Sequence, residues 1–301
     1  MVHDPDLVCF GRIDASDGPR GRLGDGDDAP RAADRAAAVM PETQAKAPSR
    51  TLSGPTGYLA VAVRKELTAR LKLSNEDIDR GGLRITTTIN KKAQDAAIAA
   101  VDKSMPKTKA ENVYAGLVAI RPGDGAVVAM YGGADYQARQ FSAATDATIP
   151  AGSTFKPFAL IAALQQGIST HTTFDGSSPM KDASLGITRL ENYANQSFGT
   201  IDLRKATASS INTAYIRLNA KITPTATRDA AVAAGLPADT LGLGTEITNV
   251  LGTSSPHVID VANAYASIAA EGRRAAPYLV KRVTSPAIDV DYTMAPQVVE
   301  A

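Results

Sequence analysis

Apolar positions first settle into a rhythm at Gly57. From Tyr58 to Leu73 they recur at Leu59, Val63, Leu67 and Leu71, one face of a helix that ends among basic residues suited to its C-terminus. Gly81-Gly82 then introduces Leu83 to Ile89, a β-branched alternating run that predicts a strand. Asn90 is placed to cap a helix over Lys91–Lys103, which stops before Met105-Pro106. Two apolar runs, 116–120 and 126–130, flank Arg121-Pro-Gly-Asp-Gly125, whose fixed and positive φ values predict a tight β-hairpin. Both runs are apolar throughout, so helices should cover at least one face. Ser153 to Gln166 is apolar on nearly every side after its first turn and predicts a helix inside the domain. Pro157 is tolerated close to a helix start, which places that start near Ser153. One or two helices are expected over 203–221, around Ser209-Ser210, and another over Val258–Ala270. The sum is an α+β fold, a sheet with packed helices behind a smaller αβ segment.

The first fifty residues carry no such rhythm. About a third are charged and Phe10 is their one aromatic, too little apolar area to offset the entropy of ordering. Residues 1–50 are expected to be disordered. Asp25-Gly26-Asp27-Asp28 lacks the glycine and distant glutamate of a calcium loop and reads as acidic tail.

Composition narrows the function. A formal net charge of +1, with 44% hydrophobic and 21% charged residues, describes a globular chain without the basic excess of a nucleic-acid binder. The single cysteine, Cys9, excludes an internal disulfide, and three scattered histidines (His3, His171, His257) argue against a zinc site. Neither a secretory leader nor an apolar run long enough to span a membrane is visible in this chain.

The candidate chemistry starts at Ser153 and Lys156. Residues i and i+3 share a helix face, so the amine can reach the hydroxyl. Serine needs a neighbouring base, and lysine serves if burial lowers its pKa. The spacing S-x-x-K also occurs at Ser104–Lys107 and Ser178–Lys181, but only Ser153 opens an apolar helix. On spacing and context alone, a serine that caps a core helix beside a snorkelling lysine is an equal reading. Ser210-Ile211-Asn212, the chain's one S-x-N, adds a hydroxyl and an amide suited to a turn lining a cleft.

These residues resemble a family. Gly152-Ser-Thr-Phe-Lys-Pro-Phe158 with Ser210-Ile-Asn212 is similar to the transpeptidase domain of the penicillin-binding proteins, in particular the bifunctional high-molecular-weight class. Residues 57–67 and 81–89 resemble the linker before that domain, the 114–131 hairpin its first strands, and Asn192-Tyr193 and 260–272 later parts of it.

The resemblance implies a serine-β-lactamase/transpeptidase-like domain, an antiparallel sheet with helices around a buried Ser-x-x-Lys helix. It implies a linker over 51–110 and a transpeptidase domain over 111–301, truncated before the family's third motif. No K-T-G or K-S-G is present, so no residue is assigned to the substrate carboxylate. The glycosyltransferase domain and membrane anchor are likewise expected only in parts missing from this chain. The implied reaction is acyl transfer from a D-Ala-D-Ala stem peptide to Ser153, with Lys156 as base, Ser210 as proton relay and Asn212 bonded to Lys156 or the substrate. It cross-links peptidoglycan outside the cytoplasm, at the cell envelope, β-lactams act as inhibitors, and no metal or organic cofactor is called for. Two other readings stay open: a non-catalytic remnant, and a D,D-carboxypeptidase or β-lactamase-type hydrolase.

Overall fold

A computed structural model describes residues 7–8, 52–108 and 112–300. The expectation of disorder over 1–50 lies outside the described residues, apart from a two-residue strand, Leu7–Val8 (β1). The rhythmic segments form where the pattern puts them. Helix α1 spans Thr56–Leu71 and buries Val63 and Leu67. A short α2, Asn75–Arg80, starts in a capping box between Ser74 and Asp77. Strand β2 is Arg84–Thr87, and α3 is Lys91–Ser104, with Asn90 accepting from the Ala93 amide. The hairpin pairs β3, Leu117–Ile120, with β4, Val127–Tyr131.

Past the hairpin comes the Ser153 segment, ending in α4, Lys156–Gln165. A polar excursion follows, with β5 (Thr173–Asp175), β6 (Met180–Asp182), β7 (Ile187–Leu190) and β8 (Thr200–Asp202). These pair as two small antiparallel ribbons, β5 with β8 and β6 with β7. Helices α5 (Leu203–Ala208), α6 (Asn212–Ile222), α7 (Pro224–Ala234) and α8 (Val258–Ala269) come next. The chain then forms β9 (Arg273–Ala275), β10 (Val280–Ser285), β11 (Val290–Thr293) and β12 (Val298–Glu300).

Two large hydrophobic cores form among the described residues, beside a small cluster of Ala126, Tyr278 and Met294. One is helical, with Phe155, Phe158, Tyr215, Ile216 and Leu218 packed among the alanines of α4, α6 and α7. The other joins α1 and β2 to β4 and β10 through Val63, Leu67, Ile85, Val127 and Val283. The sheet of that second core runs β1-β2-β10-β11, antiparallel throughout. The 51–110 segment therefore shares a core and a sheet with residues 279–283.

Helix α3 lies on β4 and α8 on β3, the helical cover that the apolar hairpin calls for. The outer edge of β4 is closed by side chain and turn rather than by a strand. Buried Gln94 donates to the Met130 carbonyl and accepts from its amide, both at 2.8 Å, and the Asn90 amide donates to Val128. On the opposite edge, β3 pairs with no strand but β4 among the described residues.

A buried neutral network locks the turn behind α6. Asn219 donates to the Ile247 carbonyl and to Asn249 Oδ1, both at 2.9 Å, and accepts from Thr227 Oγ1 at 2.6 Å. Asn249 in turn donates to the carbonyls of Pro224 and Gly244. The network holds the loop leading to Gly252, which touches the nucleophile turn.

Candidate active site

Ser153 does not open the α-helix, as its sequence context suggested. It sits inside a 3₁₀ turn, Gly152–Phe155, and the α-helix begins at Lys156 with Pro157 in its first turn. The difference favours the chemistry. Three residues per turn eclipse positions i and i+3, so Ser153 and Lys156 stack directly. Lys156 Nζ lies 3.0 Å from Ser153 Oγ. No side chain caps either helical segment, which removes the reading of Ser153 as a cap.

Glycines make that turn possible. Gly152 has φ of 56° and donates to the Gly252 carbonyl at 3.0 Å. Gly252 itself has φ of 76°, and a Cβ there would lie 2.0 Å from the Gly152 oxygen. Only a residue without a side chain allows this approach.

The second motif arrives from 54 residues away. Helix α5 ends and Ser210 takes a left-handed φ of 52°, turning both its hydroxyl and its carbonyl toward Lys156. Nζ meets Ser210 Oγ at 2.9 Å and Ser210 O at 2.8 Å. Asn212, the first residue of α6, brings Oδ1 to 2.7 Å of the same nitrogen. Its Nδ2 donates to the Glu191 carbonyl at 2.9 Å, and this fixes which end of the amide faces the lysine. All four sequence candidates therefore meet at one nitrogen. The other two S-x-x-K serines lie elsewhere: Ser104 ends α3, and Ser178 bonds Asn195 in the polar excursion.

Lys156 is 3% exposed, and burial pulls its pKa down from 10.5 to about 8. Proton counting then assigns the contacts. A neutral amine has two N–H donors and one lone pair. Asn212 Oδ1 and Ser210 O are pure acceptors and take the two hydrogens. The lone pair is left for a hydroxyl, and Ser153 and Ser210 are the two within reach. Ser153 and Ser210 are exposed while the amine between them is buried, so the hydroxyls are open to solvent and water has little access to the amine. Among the described residues no three His, Cys, Asp or Glu side chains group as metal ligands.

Sequence reasoning missed Gly252 and Glu191, and saw Asn192 only as part of a resemblance. Gly252 gives no local signal, because its partner lies a hundred positions earlier. No described helix is long and apolar enough to cross a membrane.

Comparison with known proteins shows the family. The family described as "Penicillin binding protein transpeptidase domain" matches residues 115–300. Penicillin-binding protein 1A of Mycobacterium tuberculosis is 36% identical over 269 residues, 84% of this chain and 32% of that protein. Penicillin-binding protein 1A of Mycolicibacterium smegmatis is 37% identical over 270 residues, 84% of this chain and 33% of that protein. The chain thus spans about a third of the length of these relatives. Among solved structures, the PonA1 protein from Mycobacterium tuberculosis in complex with penicillin V superposes with a TM-score of 0.72 at 36% identity. That match covers 79% of this chain and 65% of the other.

Proposed function

Because this chain belongs to the penicillin-binding protein transpeptidase domain family, we propose that it performs serine acyl transfer on D-Ala-D-Ala stem peptides of peptidoglycan. The observation that carries the reading is the placement of Lys156 Nζ within 3.0 Å of Ser153 Oγ, Ser210 Oγ and Asn212 Oδ1 at once. Ser153 Oγ attacks the penultimate D-alanine carbonyl while the Lys156 amine takes its proton. Collapse of the tetrahedral intermediate breaks the peptide bond, and the proton passes through Ser210 to the departing D-alanine amine. An amine of a second stem peptide then attacks the ester, forming the cross-link and freeing Ser153. A β-lactam enters the same first step, its ring amide opening as the acyl-enzyme forms. The reaction takes place outside the cytoplasm, at the cell envelope.

A fluorescent penicillin tests this on the 301-residue chain. Label should appear on the parent and vanish in Ser153→Ala with the melting temperature kept. Label persisting in Ser153→Ala would overturn the assignment. The alternative reading is a binding domain without turnover. A folded parent that takes no label would select it. Fast labelling with prompt release of opened antibiotic would instead favour a hydrolase.

A further inference from the structure

Helix α6 has no cap of its own. Its N-cap residue, Ile211, offers no side-chain acceptor, so the first-turn amides must look elsewhere for partners. The Thr213 amide finds Asn192 Oδ1 at 3.1 Å, an acceptor 21 residues earlier in the chain. Asn192 is 5% exposed and uses both amide hydrogens as well, to the carbonyls of Gly176 and Gln196 at 2.9 Å each. Its own amide donates to Ser178 Oγ at 3.1 Å, and its carbonyl accepts from the Asn195 amide at 2.9 Å. One side chain thus ties the β5–β6 connection, the 192–196 loop and the start of α6 together.

The loop it ties is strained. Ala194 and Asn195 both have left-handed φ, 51° and 53°, a conformation that for alanine persists only where surroundings impose it. Its neighbour matters most. The carbonyl of Glu191, next to Asn192, is the acceptor that orients the Asn212 amide, and Thr213, the residue Asn192 caps, follows Asn212 directly. Asn192 therefore grips both ends of the contact that aims Asn212 Oδ1 at Lys156. A separate clamp holds the body of α6: Arg217 pairs with Asp175 Oδ2 at 2.9 Å and donates to the Asp175 carbonyl. Loss of Asn192 leaves that clamp in place, so the helix stays docked while its first turn is released.

We infer that Asn192 is a positioning residue that acts on acylation through Asn212, by capping α6 from outside and fixing the loop that orients the Asn212 amide. The inference rests on the acylation reading of Ser153 for its rate effect, and on geometry alone for its structural effect.

The test is a double-mutant cycle on the whole chain, reading the rate of fluorescent penicillin acylation. Asn192→Ala should slow acylation about a hundredfold, the scale of a 1 Å misplacement of a reacting group. In an Asn212→Ala background the same change should cost no more than about twofold, because the group it positions is gone. An unchanged rate in Asn192→Ala, or an additive loss in the double variant, overturns the inference. Asn192→Asp guards against misfolding of the alanine variant. It keeps the acceptor for Thr213 but turns oxygens toward Gly176 O and Gln196 O, and it should slow acylation at least tenfold with a cooperative melt. A parent that takes no label sinks the acylation reading and leaves this one to nuclear magnetic resonance. The Asn212 side-chain amide, assigned by its loss in Asn212→Asp, should exchange its hydrogens faster in Asn192→Ala. Unchanged exchange overturns the inference whatever the labelling shows.

Discussion

Helix α6 carries two buried polar clusters, and they are built from nearly the same parts. Asn212 in its first turn meets the Lys156 amine and the Glu191 carbonyl, and Asn219 two turns later meets the Thr227 hydroxyl, the Ile247 carbonyl and the Asn249 side-chain amide. The Asn219 cluster is neutral and closed, and every bond in it joins one segment to another. The Asn212 cluster contains an amine whose proton is held loosely, between two hydroxyl-bearing residues open to solvent. Hydrogen bonding alone does not distinguish scaffold from reactive centre. What distinguishes them is a titratable group with more acceptors around it than it has hydrogens, and a nucleophile at the surface.

The sharpest way to break the comparison is Lys156→Met. Acylation should fall by about a thousandfold, the usual scale for removing a general base. The melting temperature should not drop, because an apolar side chain of similar length replaces a buried amine. Asn219→Ala should do the reverse. It leaves the Thr227 hydroxyl and two other buried groups short of a partner and should cost about 2–3 kcal/mol in urea unfolding. Acylation per folded molecule should stay within about twofold of the parent. Loss of rate in Asn219→Ala without loss of stability would erase the distinction.

Gly252→Ala joins the two clusters. A methyl there meets the Gly152 backbone and strains a left-handed φ, so stability should fall by about 2 kcal/mol while acylation slows severalfold. Failure of either change would uncouple the loop from the nucleophile turn.

The Lys156 amine also sets a pH dependence. The active amine is neutral, and its pKa is held near 8 by burial, so acylation should rise about tenfold between pH 7 and 9 and then level off. The stability sign is opposite to that of a salt-bridged lysine. Unfolding returns the pKa to 10.5, so the unfolded chain binds more protons between pH 8 and 10.5 and stability rises across that window. Lys156→Met should flatten both profiles, read by labelling kinetics and by melting against pH.

Legibility followed locality. Helices α1, α3 and α8 and the hairpin announce themselves through short periods and caps. Context also singled out, of three S-x-x-K spacings, the one that meets Ser210 and Asn212, because burial of the helix after Ser153 is written in its own residues. The pairing of Ile85 with Val283 spans about two hundred residues and has no local trace. The three- and four-residue strands of the 173–202 excursion are too short and too exposed to show alternation. Helix α7 was missed although Thr223-Pro224 marks a start, with the threonine accepting from the Ala226 amide and proline in the first turn. The 3₁₀ geometry at Ser153 was hidden for another reason. It depends on Gly252 pressing against Gly152, and no window around Ser153 contains that contact.

Gln94 gives the hairpin a direction. Its amide occupies the outward main-chain groups of Met130 as a neighbouring strand would, and Val127 donates to Tyr278 farther along the same border. Val118 pairs with Met130, and in such a pair both residues turn their backbone groups away from each other. The Val118 groups therefore face outward on the side that no described strand occupies. Any strand that lengthens this ribbon, from the same polypeptide or another, has a single border at which to dock. Gln94→Ala would open the second one. The ribbon would then be able to polymerise in both senses, and the expected outcome is concentration-dependent assembly in place of one defined addition.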